Sequence, residues 1–201
     1  PILTYLPNAK HTYLSDVNRS RLPTSVIGYL KKSKKFENTT VKIKDENGQL
    51  METAIPKVNI LKEGNYSPED LGSGPEREVD ILALINDNLN NAPLSGFIIE
   101  GQAPYGTMTN TVRNKLMETA SFSGMPVVRV GRGNNEGFAA PAGTFLGGGN
   151  LTSTKARLLL LACLMKFGAA PPAQDPENPT DTERSAIIKH LALYQAVFDT
   201  H

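Results

Sequence analysis

Side chains able to do chemistry are few and scattered in this sequence. Histidine occurs as His11, His190 and His201, and cysteine only as Cys163. A zinc centre draws several such ligands from short, characteristic spacings, so no metal site is expected. His190 falls inside an apolar-periodic stretch and reads as a surface or half-buried helix residue. Cys163 lies within the apolar run Leu158 to Met165, where a thiol behaves as a small hydrophobe rather than a nucleophile. Gly147-Gly148-Gly149 belongs to no Walker pattern and no Gly-x-Gly-x-x-Gly. It reads as a tight strand-to-helix turn. No Gly-x-Ser-x-Gly elbow occurs. Thr180, with Glu183 three residues on and an apolar run beyond, has the pattern of a capping box.

Two loops are richer. Gly101 to Asn110 is full of turn residues and ends on donors near an expected helix N-terminus, a place suited to carboxylates. Gly131-Arg132-Gly133-Asn134-Asn135-Glu136-Gly137 is glycine-rich and carries one carboxylate and two amides. Together they suit a small zwitterion, with amides and helix dipole for its carboxylate and Glu136 for its ammonium. The same composition also suits two ordinary flexible loops.

The elements that must position these loops alternate. Val58 to Leu61, Gly96 to Ile99, Pro126 to Val130 and Phe145-Leu146 are short apolar runs of buried-strand type. Between or after them, Val79 to Leu89, Thr109 to Phe122 and Leu151 to Phe167 carry apolar residues at helical spacing. Gly124 and Gly168 stop the last two, and Thr152 or Ser153 caps the third. Such alternation predicts a parallel sheet covered by helices, with functional loops at the carboxyl ends of its strands. These are Gly101–Met108 and Gly131–Thr144.

The remainder reads as additions. Ile2 to Leu6 is a short strand, and Val26 to Leu30 a second apolar run. Lys31, Lys32, Lys34 and Lys35 form a basic cluster that reads as a solvated turn. Val41–Lys44 and Leu50–Ile55 predict a hairpin around Asn47-Gly48. Residues 169–179 are a Pro-rich linker of extended, semi-rigid type, followed by a last helix from about Asp181 to Phe198. The expected partition is 1–55, a connecting segment with a short β-hairpin; 56–168, the α/β domain; and 169–201, linker and C-terminal helix.

Composition bounds the function classes. The 201 residues are 39% hydrophobic and 20% charged, so the chain is long and apolar enough to bury a core. The formal charge of +1 supports neither a nucleic-acid nor a polybasic membrane partner. A single cysteine excludes a disulfide scaffold, and no apolar run approaches the roughly 20 residues of a membrane span. Pro1-Ile2-Leu3-Thr4 shows no basic n-region, so no signal peptide is legible. The compartment stays open, with the cytoplasm the favoured reading.

In order, Ile55-Pro56-Lys57-Val58-Asn59-Ile60-Leu61, Ser95 to Gly101, Ser123 to Arg129, and Phe145-Leu146-Gly147-Gly148-Gly149-Asn150-Leu151-Thr152-Ser153-Thr154-Lys155-Ala156-Arg157-Leu158-Leu159-Leu160 resemble a known lobe. It is the carboxy-terminal lobe of the bacterial-type L-asparaginases (asparaginase/glutaminase family). The most specific piece is the last: a glycine-containing strand end, a capped helix start, and Lys-Ala-Arg followed by leucines. The resemblance covers about residues 55 to 168, is weaker before them and is lost after Gly168. Upstream, Ser15 to Ser20 and Ile27-Gly28-Tyr29 look like the segment leading into that lobe.

The resemblance implies an α/β fold: an open parallel four-stranded sheet with helices on both faces, Rossmann/flavodoxin-like. A small β attachment precedes it and an extra C-terminal helix follows. It implies the C-terminal domain of an L-asparaginase, completing the substrate site and the oligomer interface of an enzyme that turns asparagine into aspartate and ammonia with no metal or organic cofactor. The family's nucleophilic threonine lies in an N-terminal Thr-Gly-Gly-Thr segment that does not occur in this sequence. No catalytic residue is therefore expected in this chain, which alone should be inactive. Thr180-Asp181-Thr182 copies the letters of the family's second motif but falls past the matched lobe. The family's lobe supplies an asparagine and a glutamate to a neighbouring subunit's site; their counterparts here are Asn110 and Glu136, although the asparagine's surroundings depart from the family pattern. Expected partners are L-asparagine, the missing N-terminal lobe and further copies of the chain, with neither nucleic acid nor membrane. The alternative is a stand-alone, non-catalytic amino-acid-binding or dimerisation module.

Overall fold

The computed structural model describes residues 3–4, 16–17, 19–63, 78–102, 105–132 and 139–200. Strands β1 (Leu3–Thr4) and β2 (Asp16–Val17) pair antiparallel. A hairpin follows, β3 (Ser25–Lys32) with β4 (Lys35–Lys42), in unbroken register from Ser25 opposite Lys42 to Lys32 opposite Lys35. Its turn residues Ser33 and Lys34 have φ of 47° and 67°. Two positive φ angles make the mirror-image turn whose twist matches that of the flanking strands. The basic cluster is the exposed tip of this hairpin.

The hairpin expected from Val41–Lys44 and Leu50–Ile55 is found only in its inner part, where Asp45 N donates to Gln49 O at 2.9 Å. Val41 spends its pairing on β3, opposite Val26. Asn47-Gly48 does turn the chain: Gly48 has φ 74°, and Asp45 Oδ1 accepts from Asn47 N at 2.9 Å and Gln49 N at 2.7 Å. Beyond it Lys44 bridges Leu50 antiparallel and Met51 N donates to Ile43 O at 3.0 Å, after which Glu52–Ala54 winds into a 3-10 turn.

The main sheet is built by β5 (Lys57–Lys62), α1 (Val79–Asn91), β6 (Ser95–Gly101), α2 (Thr111–Phe122), β7 (Val127–Gly131) and β8 (Phe145–Gly147). The order is β5-β6-β7-β8, all parallel. Alternation along β6 and β7 divides the core. Phe97, Ile99 and Val127 face α1 and α2, whereas Ile98, Val128 and Val130 face α3 (Ser153–Phe167). Consecutive crossovers of one hand require α1 and α2 to share a face. The strands therefore read as continuous apolar runs, since both of their faces are covered. Leu159 and Leu160 of α3 are both buried, and each such side chain contributes about 1.5–3 kcal/mol.

Residues 169–179 depart from the expected spacer. They do not stand away from the domain: Ala169, Ala170 and Ala173 are buried. Ala169 N donates to Ile27 O at 2.9 Å and Ala173 N to Phe122 O at 2.8 Å. Alanine's small side chain lets extended backbone lie against the core, which proline content alone does not reveal. The segment delivers α4 (Asp181–Phe198) onto the domain, where Ile187, Leu191, Tyr194 and Phe198 are buried in the core on the α3 side.

This helix also finishes the sheet. Gly147 N donates to Gln195 Oε1 at 2.9 Å, and Gln195 Nε2 donates to Gly147 O at 3.2 Å. Phe145 and Ala142 exchange both backbone hydrogen bonds. The outer edge of β8 is thus occupied, which removes a template for intermolecular pairing. Among the described residues, no helix is long and apolar enough to cross a membrane.

Thr180 and Glu183 form the expected capping box at the start of α4. Glu183 N donates to Thr180 Oγ1 at 3.3 Å, and Thr180 N donates to Glu183 Oε2 at 2.9 Å. Gln174 N also donates to this carboxylate and, ahead of Thr180, holds its pKa below the usual range. Thr180→Ala is expected to lower unfolding stability by about 1 kcal/mol; a urea melt with an unchanged midpoint would show that the cap is idle.

Candidate functional site

The carboxyl ends of β5, β6 and β7 lie side by side, because Lys62 pairs with Glu100 and Gly101 with Gly131. Chain leaving β6 folds tightly back: Gly106 N donates to Gln102 O at 2.9 Å and Gln102 N to Thr107 O at 3.0 Å. Glycine is required here. A Cβ on Gly101 would lie 2.4 Å from the Gly106 carbonyl, and Gly106 itself has φ 64° with Val130 backbone 2.8 Å from its missing Cβ. Tyr105 is exposed near the tip of this turn.

Asn110, the first residue implied for substrate binding, is the N-cap of α2. Its Oδ1 accepts from Val112 N at 2.9 Å and Arg113 N at 3.1 Å. The neighbouring donors are also taken: Glu63 Oε1 accepts from Thr109 Oγ1 and Asn110 N, both at 3.0 Å, and from Thr109 N. The helix terminus that the sequence offers to a ligand carboxylate is therefore filled by a carboxylate of the chain itself, as its partial positive charge favours. Glu136, the second implied residue, lies outside the described residues, as do Asn134 and Asn135.

On the α3 side of the same rim stands a second charged group. Glu100 Oε2 accepts from Ser153 Oγ at 2.7 Å, in the first turn of α3, where a carboxylate is again favoured. Arg132 Nε lies 3.7 Å from Glu100 Oε1, and the same guanidinium donates to the Glu63 carbonyl. Arg132 thus ties the end of β7 to the ends of β5 and β6. Sequence reasoning missed Glu63 and Glu100 as site residues. The available signal was position: Glu100 directly follows the run Phe97-Ile98-Ile99, and Glu63 stands two residues after Leu61.

Away from the rim, Cys163 is fully buried and its burial pushes the thiol pKa far up, so it is not a thiolate nucleophile. His190 packs against Tyr194, 5.6 Å between ring centroids, with Nε2 3.4 Å from Gly168 O; burial lowers its pKa. Tyr194 donates to the same carbonyl. These groups serve the α3–α4 junction. Among the described residues, no three His, Cys, Asp or Glu side chains cluster as metal ligands.

No protein-family model and no curated protein matches the chain. Among solved structures, it is similar to a probable cytoplasmic L-asparaginase from Campylobacter jejuni, at 18% identity and a TM-score of 0.41. The match covers 66% of this chain and 36% of that one, so the chain spans about a third of that protein's length. A likeness this distant speaks to neither substrate nor activity.

Proposed function

We propose that the chain is the carboxy-terminal lobe of an L-asparaginase-type amidohydrolase, acting on the side-chain amide of asparagine in an oligomer. In this reading a threonine hydroxyl of another lobe attacks the amide carbon and ammonia leaves; water then hydrolyses the threonine ester, releasing aspartate and restoring the hydroxyl, an acyl transfer that needs an activated hydroxyl and an oxyanion hole. This chain contributes binding groups from its two rim loops. The observation that carries the reading is the register of Gly101 with Gly131, from which the loops bearing Asn110 and Glu136 leave the sheet as neighbours. The rival, a stand-alone binding or dimerisation module, is favoured by how fully this chain covers its own sheet, through α1 and α2, α3, and the Gln195 clamp.

The upstream coding sequence separates them, and ammonia release by the chain alone tests both. The coding sequence upstream should contain a Thr-Gly-Gly-Thr segment, and the 201-residue chain alone should release no ammonia from asparagine above the no-enzyme control. Ammonia release abolished by changing one Thr or Ser of this chain would place the nucleophile here instead. In the assembled enzyme, Glu136→Gln is expected to lower kcat/KM by about 10- to 150-fold, the loss of one charge-assisted hydrogen bond of about 1.5–3 kcal/mol. Its Tm should barely move, as for most surface changes. Mixed with nucleophile-dead subunits, Glu136→Gln subunits should regain partial activity through hybrid sites. Unchanged kinetics in the homogeneous mutant would leave Asn110, Asn134 or Asn135 to carry the contact.

A further inference from the structure

Glu63 has a second oxygen, and it is not used by the helix. The residue is 5% exposed, and its Oε2 has no hydrogen-bond partner among the described residues. A buried carboxylate oxygen left unpaired costs free energy that native structures rarely leave uncompensated. Glu63 lines a cleft of about 160 Å³ between the carboxyl ends of β5 and β6 and the first turns of α1 and α2. Leu61, Ile99, Met108 and Met117 make part of its wall apolar, and Lys62 and Asp80 line it as well. Along one side, Arg113 Nε donates to Glu78 Oε1 at 2.8 Å in a nearly buried ion pair.

The chemistry of the cleft follows from these parts. Three donors from the start of α2, Thr109 N, Thr109 Oγ1 and Asn110 N, converge on Oε1. The other oxygen, an unpaired acceptor, borders a small space walled in part by apolar side chains. A cavity of about this size holds a body of five to eight non-hydrogen atoms, as a cavity of roughly 150 Å³ holds benzene. We infer that the cleft is a binding site for a small organic ammonium, its N–H groups on Glu63 Oε2 and its short aliphatic chain against Leu61, Ile99, Met108 and Met117. Methionine suits such walls because its unbranched thioether adapts to a variable chain. The site lies on the α1–α2 side of the sheet and does not rest on the amidohydrolase reading.

The test titrates the chain with n-butylammonium and with n-butanol, the neutral molecule of equal chain length, following backbone amide signals by NMR. The amides of Thr109 and Asn110 report directly, since both donate to Glu63. Saturable shifts centred on these two signals are expected with n-butylammonium, at least about tenfold tighter than with n-butanol. Glu63→Gln keeps an oxygen for the helix donors and should weaken binding by about 10- to 150-fold. Met108→Trp, at a half-buried wall position, should block the cleft and abolish binding without loss of the native spectrum, and it carries the test if Glu63→Gln fails to fold. Shifts that never saturate, equal binding of the alcohol, or unchanged affinity in Met108→Trp would overturn the site.

Discussion

Replacing Leu160 by aspartate is expected to abolish cooperative folding. Leu160 is completely buried in the middle of α3, the helix packed on β5, β6 and β7. Its Cδ2 lies 3.1 Å from where a Cβ would stand on Gly96, so side chain and strand backbone are in direct contact. Aspartate would lose that contact and place a charge among Ile98, Val128 and Leu164, where no partner waits. Burial of an unpaired charge costs several kcal/mol, and total stability is only about 5–15 kcal/mol. Leu158→Asp is the matched control: two residues earlier on the same helix, Leu158 is 39% exposed and should tolerate the change. Circular dichroism melts of both variants decide the matter. A Leu160→Asp protein melting like the parent would refute the placement of α3 on the sheet.

Gly168→Ala should be the next most damaging single change, removing about 3 kcal/mol or more. Gly168 ends α3 at φ 76° and ψ −178°, a conformation that L side chains scarcely adopt. A Cβ there would also lie 2.4 Å from Ile27 O and 3.3 Å from Val26 Cβ. The backbone cannot yield without moving β3, because Ala169 N donates to that same Ile27 carbonyl. Strain and collision can be separated. Gly48 also has positive φ, 74°, but nothing lies within 4 Å of its missing Cβ. Gly48→Ala should therefore cost only the left-handed penalty of about 1–2 kcal/mol. Equal losses in the two variants, measured by urea denaturation, would mean that the contact with Ile27 is not tight.

These two glycines show why the parts of the fold differed in legibility. Gly168 was readable as a helix stop, because a glycine after an apolar-periodic run ends helices for local reasons. Its closeness to Ile27, 141 positions earlier in the chain, has no local signature. The same division holds at the rim. Asn110 sits at a helix start legible from spacing, and its chemistry as a cap is local. That Glu63 occupies the same helix start is a contact across 46 residues.

The strand–helix alternation of β5 through α3, the four apolar runs and the capping box at Thr180 were written in residue order. Each depends on periodicity or on side chains within three or four positions of one another. The β3–β4 hairpin was not, since Ser33-Lys34 adopts its turn without the asparagine or glycine that usually announces it, supported by eight paired positions on each strand. Nor was the burial of residues 169–179, where alanine is neutral in pattern and is placed by the surfaces of β3 and α2 it meets. The Gln195 clamp on β8 and the second oxygen of Glu63 belong to this class as well. They exist because folding brings a strand edge or a helix end beside a side chain distant in sequence, and that proximity is a property of the packed chain.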